Sequence, residues 1–230
     1  LTALYFNVMK HDPSNTELPT RDRFVLSKGH CTPVLYSVLA EAGYFPVEEL
    51  STFRKLNSRL QGHCHTITPG VEHCAGSLGQ GLSIGIGMAL AGRLDHQDYT
   101  VFVLLGDGEC DEGQVWEAAM SASHFRLDNV VAIIDRNRIQ NDRFTDQVMG
   151  LEPLGEKWKS FGWKVHDIDG HDVKQVLTAL KTASKRDSSP HVIIAQTVKG
   201  KGVSFMENNP AFHGKAPSAE ELEIALQELS

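Results

Sequence analysis

Two short polar signatures close apolar runs: Gly106-Asp107-Gly108 follows residues 100–105, and Asn137 follows residues 130–135 after Arg136. If the runs are neighbouring parallel strands, the Asp107 carboxylate and the Asn137 amide oxygen arrive side by side at the carboxyl ends, where open α/β sheets bind their ligands. Mg2+ suits this pair of hard oxygen donors, because it takes few protein oxygens and completes its octahedral shell with phosphate and water. A Gly-Asp-Gly tripeptide alone is also an ordinary strand-end turn, and the second signature at Asn137 is what makes a metal-polyphosphate site the stronger reading. The expected chemistry is capture of a phosphate-bearing ligand through a divalent cation.

Gly76, Gly79 and Gly81 form a second cluster. Glycine there lets backbone approach a ligand or take a positive φ, although a flexible turn before a helix is the plainer reading. His63-Cys64-His65 with His73-Cys74 offers zinc-type donors, but the spacing departs from the short Cys-to-Cys pairs of structural zinc sites. Glu112 and Glu117 fall on one helix just after the Asp107 turn, where acids also simply favour the helix dipole. Of the 11 histidines, His11, His96, His124, His166, His171 and His191 read as ordinary surface or core residues.

These residues need a frame. The run 100–105, a helix from about Glu112 to His124, and the run 130–135 form one βαβ unit, whose crossover is right-handed. Residues 162–168, a helix near 172–185, and residues 191–198 form a second. Strands alternating with helices predict an α/β fold: a parallel β-sheet flanked by helices on both faces. Thr32 as N-cap, Pro33 at the first helical position and Gly43 just past Ala42 bracket another helix, with Leu35, Val38 and Leu39 at helical spacing. Residues 62–81 read as a long, functional loop. The helix after it carries Gly85, Gly87, Ala89 and Ala91, a helix-propensity cost that close backbone approach to another element would offset. Ser218 begins a terminal helix with acids in its first turn.

At 230 residues and 41% hydrophobic content the chain is sized for one substantial α/β domain. With 29 acidic against 22 basic residues and a net charge of -7, no basic run is dense enough for a nucleic-acid groove. No apolar stretch has the length of a membrane span and no leader precedes Leu1, so a cytoplasmic protein is expected. The 4 cysteines are expected to be reduced thiols. Leu1 opens inside an amphipathic pattern of Leu4, Tyr5, Val8 and Met9, which implies further natural residues upstream.

Gly106-Asp107-Gly108-Glu109-Cys110-Asp111-Glu112-Gly113 through Asp135-Arg136-Asn137 resembles the cofactor motif of thiamine diphosphate enzymes, transketolases in particular. Ser27-Lys28-Gly29-His30, Gly62-His63, Pro69-Gly70-Val71-Glu72, Gly76-Ser77-Leu78-Gly79-Gln80-Gly81, Lys199-Gly200-Lys201-Gly202 and His213-Gly214 are similar to transketolase signatures in the same order. The resemblance implies that the Asp107 and Asn137 side chains and the Ile139 carbonyl bind Mg2+, with Gly106 and Gly108 beside them in the cofactor turn. It further implies that Gly76 and Leu78 line the pocket of the cofactor rings. His30, His63 and His213 would converge to contact diphosphate, donate to substrate hydroxyls and move protons. Glu112, and less directly Glu117, would join an acidic network at a subunit interface near the cofactor.

In that family the carboxylate that activates the cofactor's pyrimidine ring belongs to a second domain, which these 230 residues do not contain. The resemblance therefore implies the N-terminal, diphosphate-binding subunit of a split transketolase. On that resemblance residues 1–230 would form one domain, completed by a C-terminal pyrimidine-binding subunit in an α2β2 assembly. With sugar phosphates as substrates, the pair would move a two-carbon ketol unit from a ketose phosphate to an aldose phosphate, as in the pentose phosphate pathway. A Ser-Gly-His-Pro-Gly-Gly segment, common upstream in the family, is not in the sequence, and Cys64 stands where proline is usual. The competing readings are a 1-deoxyxylulose-5-phosphate synthase-like enzyme or specialised ketose transferase, and a non-catalytic binding subunit.

Overall fold

The two apolar runs are strands β2 (Val101–Gly106) and β3 (Val130–Arg136), and they pair in parallel with Gly106 opposite Asp135. Both are continuous rather than alternating in hydrophobicity, the pattern of strands covered on two faces. Residues 1–230 are described by a computed structural model. Its strands β1 (Arg23–Leu26), β2, β3, β4 (Ile139–Gln140), β5 (Arg143–Phe144), β6 (Lys164–Asp169) and β7 (His191–Gln196) form two sheets. The main one is 5-stranded and wholly parallel, in the order β1-β2-β3-β7-β6, while β4 and β5 make a small antiparallel hairpin.

The helices are α1 (Thr2–Asn7), α2 (Thr32–Glu41), α3 (Gln80–Leu94), α4 (Gly113–His124), α5 (Thr145–Val148), α6 (Leu154–Ser160), α7 (Val173–Ala183) and α8 (Ala219–Glu228). One apolar core lies beneath α3, α4 and α6 and contains Ile86, Val103, Ala119 and Trp158. The other lies beneath α1, α2 and α7 and contains Leu4, Leu39, Phe102 and Leu180. The α/β sandwich with helices on both faces is thus present. Each fully buried Leu or Ile contributes about 2 kcal/mol, so the two cores fix the sheet as a rigid platform for its carboxyl-end loops.

Both expected βαβ units form, β2-α4-β3 and β6-α7-β7. Strand β1 was not foreseen: four residues, Arg23-Phe24-Val25-Leu26, are too few to declare a period. Its consequence is that Ser27 and Lys28 sit at a strand's carboxyl end, beside the Asp107 turn. The cap of α2 also differs from expectation. Cys31 is the N-cap, and Thr32, already helical and fully buried, donates its hydroxyl to the Gly62 carbonyl at 3.2 Å. Gly43 does take the left-handed conformation expected after that helix, with φ +89°. The loop before α3 is free of regular structure, and Ser218 and Glu221 close a reciprocal capping box on α8.

Of the two α3 glycines read as marking a close approach, Gly85 has that cause and Gly87, which faces open space, does not. A Cβ on Gly85 would stand 2.5 Å from Val103 Cγ2, so only glycine lets this helix lie directly on β2.

Candidate active site

Because β2 and β3 end in register, the turns that follow them meet. The Asp107 N–H donates to the Asp135 carbonyl at 3.2 Å, and the Arg138 N–H donates to Asp107 Oδ2 at 2.5 Å. Asp107 is 1% exposed and Asn137 8%. Burial pushes the Asp107 carboxyl above its ordinary range, opposed by hydrogen bonds from Arg136, Arg138 and Gly108. Asn137 Oδ1 accepts the Ile139 N–H at 3.0 Å, and its Nδ2 donates to Asp135 Oδ2 at 3.0 Å. Between them Arg138 is held at φ +64°, a left-handed conformation that costs a non-glycine residue energy and shapes the turn carrying Asn137 and Ile139.

Asp107, Asn137 and Ile139 line one pocket of about 300 Å³ at the carboxyl end of the sheet. His30, His63, His213, Gly76, Leu78, Gly106 and Gly108 line it too, so nearly every sequence-identified residue converges. The exception is Glu112. It is exposed at the N-cap of α4, outside the pocket lining, and its side chain packs against the backbone at Gly79. Glu117 is likewise exposed on α4.

Each histidine is positioned by its own local structure. His30 follows the β1 carboxyl end. His63 lies in a loop tied to α2 by the Thr32 bond and by the Tyr36 hydroxyl, which donates to the Gln61 carbonyl at 3.0 Å. His213 caps a short 3-10 turn, residues Pro210–Phe212, begun by Asn209 accepting the Ala211 N–H at 3.1 Å. The His30 and His213 rings lie 5.7 Å apart. Partial burial, then the His213 imidazole and the Lys28 ammonium, push the His30 pKa down to about 4, although the residue keeps an exposed surface. Burial, then Lys199 and Lys28, lowers His213 as well. Near neutral pH both rings are therefore neutral, each with one donor and one acceptor nitrogen.

Sequence reasoning gave no role to several residues of the pocket lining, among them Lys28, Glu109 and Lys199, nor to Asp135, which pairs with Lys28. Lys28 and Lys199 bring two ammonium groups to the pocket. Lys28 Nζ stands 2.5 Å from Asp135 Oδ2, and Asp135 Oδ1 accepts the Thr197 hydroxyl. Burial would raise the Asp135 carboxyl, but the Lys28 charge and these hydrogen bonds outweigh it and hold it below the usual range. Glu109, 2% exposed, accepts the Ser27 hydroxyl and the Gly79 and Gly106 N–H groups. The signal for Lys28 was its place just beyond β1, invisible while that strand went unrecognised. Glu109 gave none, since a glutamate in a polar turn reads as solvated.

The pocket fits a metal-bound diphosphate on its own chemistry. Asp107 Oδ1 accepts only the Gly108 N–H, at 2.7 Å, and keeps a lone pair for a cation. The face of Gly76 has no atom within 4 Å of where a Cβ would stand, leaving open space in the lining. His213 Nδ1 is buried without a hydrogen-bond partner, an uncommon state that a ligand acceptor or donor would relieve. The zinc alternative has no such support: no group of three or more His, Cys, Asp or Glu side chains converges as a metal site, and Cys31, Cys64, Cys74 and Cys110 are free thiols.

A family described as "Transketolase, thiamine diphosphate binding domain" matches residues 1–230. The chain is 46% identical over 230 residues to the 6-deoxy-6-sulfo-D-fructose transketolase subunit SqwG of Clostridium sp. (strain MSTE9), covering 100% of this chain and 84% of that protein. It is 44% identical over 230 residues to an apulose-4-phosphate transketolase subunit from Phocaeicola vulgatus, covering 100% of this chain and 82% of that protein. Among solved structures, a transketolase from Campylobacter jejuni superposes with a TM-score of 0.93 at 33% identity, over 98% of this chain but only 37% of that one. The chain thus corresponds to little more than a third of that enzyme.

Proposed function

The chain belongs to the transketolase, thiamine diphosphate-binding domain family, and from that premise we propose that it holds thiamine diphosphate through Mg2+ and, with a partner subunit, transfers a two-carbon ketol unit from a ketose phosphate to an aldose phosphate. The observation that carries this reading is the meeting of Asp107 and Asn137 at adjoining strand ends in a pocket also lined by His30, His63 and His213.

The Asp107 and Asn137 side-chain oxygens and the Ile139 carbonyl would hold the metal. Lys28, Lys199 and the neutral imidazoles of His30 and His213 would receive diphosphate and sugar-phosphate oxygens, and His63 and His213 would hold or return protons at substrate hydroxyls. Gly76 and Leu78 would accommodate the cofactor rings. When bound, the cofactor supplies the carbanion-stabilising group, and the protein supplies binding, orientation and electrostatics.

The partner is a pyrimidine-binding polypeptide, in an α2β2 arrangement with Glu112 near the contact. Support comes from the two relatives named as transketolase subunits. Their names also favour a second reading of the substrate, a specialised ketose donor rather than the sugars of the pentose phosphate pathway. A non-catalytic binding subunit is disfavoured by the retained Asp107, Asn137, His63 and His213. No helix is long and apolar enough to cross a membrane, and a cytoplasmic site of action is part of this proposal.

The test is reconstitution with the co-encoded subunit. Xylulose 5-phosphate, 6-deoxy-6-sulfo-D-fructose and apulose 4-phosphate are offered as donors with an aldose phosphate acceptor, against pyruvate with glyceraldehyde 3-phosphate. Ketol transfer from any of the three sugars supports the reading; turnover of the pyruvate pair alone contradicts it.

A further inference from the structure

Arg136 is the largest charged side chain buried in the molecule, 2% exposed; it precedes Asn137 in the chain and contacts Asp107. Its Nη1 donates to Asp107 Oδ2 at 2.9 Å and to Thr145 Oγ1 at 3.0 Å. Its Nε and Nη2 fork onto Glu152 Oε1 at 3.2 and 2.8 Å, while Glu152 Oε2 accepts the Leu154 N–H at the start of α6. The guanidinium is therefore fixed from both sides, by Asp107 in the turn after β2 and by Thr145 and Glu152 in the segments that begin α5 and lead into α6.

The consequence falls on the lone pairs of Asp107. A carboxylate oxygen offers two. On Oδ2 both are taken, one by Arg136 Nη1 at 2.9 Å and one by the Arg138 N–H at 2.5 Å. On Oδ1 only the Gly108 N–H is seated, at 2.7 Å. We propose that Arg136 is a specificity-determining positioning residue, which occupies Asp107 Oδ2 and so restricts this carboxylate to single-oxygen contact with the metal, favouring Mg2+ over Ca2+.

The preference follows from coordination chemistry. Mg2+ demands near-ideal octahedral geometry at about 2.1 Å and is served by single-oxygen carboxylates, whereas Ca2+ takes six to eight oxygens at about 2.4 Å and gains from two-oxygen carboxylate contact. Removing the guanidinium frees a lone pair on Oδ2 and opens that second mode. It also removes one positive charge, but the lost repulsion acts alike on two divalent cations, so the ratio of their affinities isolates the geometric effect.

The inference rests on the metal assignment above. In calorimetric titrations of the full chain with thiamine diphosphate, Mg2+ and Ca2+ are each supplied as the sole divalent ion, for the wild type, Arg136→Met and Arg136→Lys. Cofactor binding by the wild type that needs no divalent ion would overturn the metal assignment itself. Given metal-dependent binding, Arg136→Met is expected to shift the Ca2+-to-Mg2+ ratio toward calcium on the order of 10-fold, the usual size of an outer-shell effect, and Arg136→Lys, which keeps a donor and a charge, to shift it less. An unchanged ratio in a folded Arg136→Met protein overturns the proposal. Crystal structures of the wild type with cofactor and each ion need no variant at all: Asp107 bound through Oδ1 alone supports it, and two-oxygen binding in either overturns it.

Discussion

The Glu109 carboxylate accepts the backbone N–H of Gly79 at 2.9 Å, joining the turn after β2 to the glycine that starts α3. The same carboxylate takes the Ser27 hydroxyl and the Gly106 N–H, so one buried acid joins three of the loops that border the pocket. Burial pushes it above the ordinary carboxylate range and the three donors oppose that.

Glu109→Gln should therefore harm both fold and site. An amide presents an NH2 group where the carboxylate met only donors, leaving a buried N–H unsatisfied at a cost of about 1–3 kcal/mol. Urea unfolding should show a lower midpoint, and thiamine diphosphate affinity should fall with it. A wild-type midpoint would mean that Glu109 is not the tie between these loops.

The α3 glycines make a paired prediction. Gly85→Ala places a Cβ against Val103 Cγ2 and overpacks the helix on β2, which costs about 1–3 kcal/mol. Gly87→Ala meets nothing within 4 Å, and should gain about 0.5–1 kcal/mol of helix propensity. Thermal midpoints should move in opposite directions; a fall for Gly87→Ala would mean that this exposed face is packed in solution.

Acid should act through His30. The unfolded imidazole protonates near its ordinary value of about 6.5, whereas in the folded chain burial, His213 and Lys28 bring it to about 4. Between those values the unfolded state binds more protons, so folding stability falls as pH drops from about 6.5 toward 4 and this contribution levels off below. His30→Gln should make the urea midpoint less sensitive to pH across that window. Equal sensitivity in the variant would contradict the assignment.

What was legible in the sequence had a local cause. The continuous apolar runs of β2 and β3 and the polar residues at their ends fixed where Asp107 and Asn137 would meet. Small residues in α3 announced a close approach, which Gly85 makes to Val103 while Gly87 faces open space. The unreadable parts depend on partners distant in the chain. Strand β1 has only four residues and is a strand because Val25 finds Val103 beside it. Lys28, Glu109 and Arg136 are buried charges, and no composition or period distinguishes them from solvated ones. Their roles appear only when Asp135, Gly79 and Asp107 stand opposite. Glu112, which the family resemblance ties to an intersubunit contact, is exposed in the single chain.

The claim on which the rest depends is that Asp107 and Asn137 grip one divalent cation bearing the cofactor's diphosphate. Calorimetric titration of thiamine diphosphate into wild type and Asp107→Ala, each with and without Mg2+ and each checked for cooperative unfolding, tests it most directly. The account predicts Mg2+-dependent binding in the wild type and loss of that dependence in the variant. Equal Mg2+-supported affinity in the two proteins would contradict it.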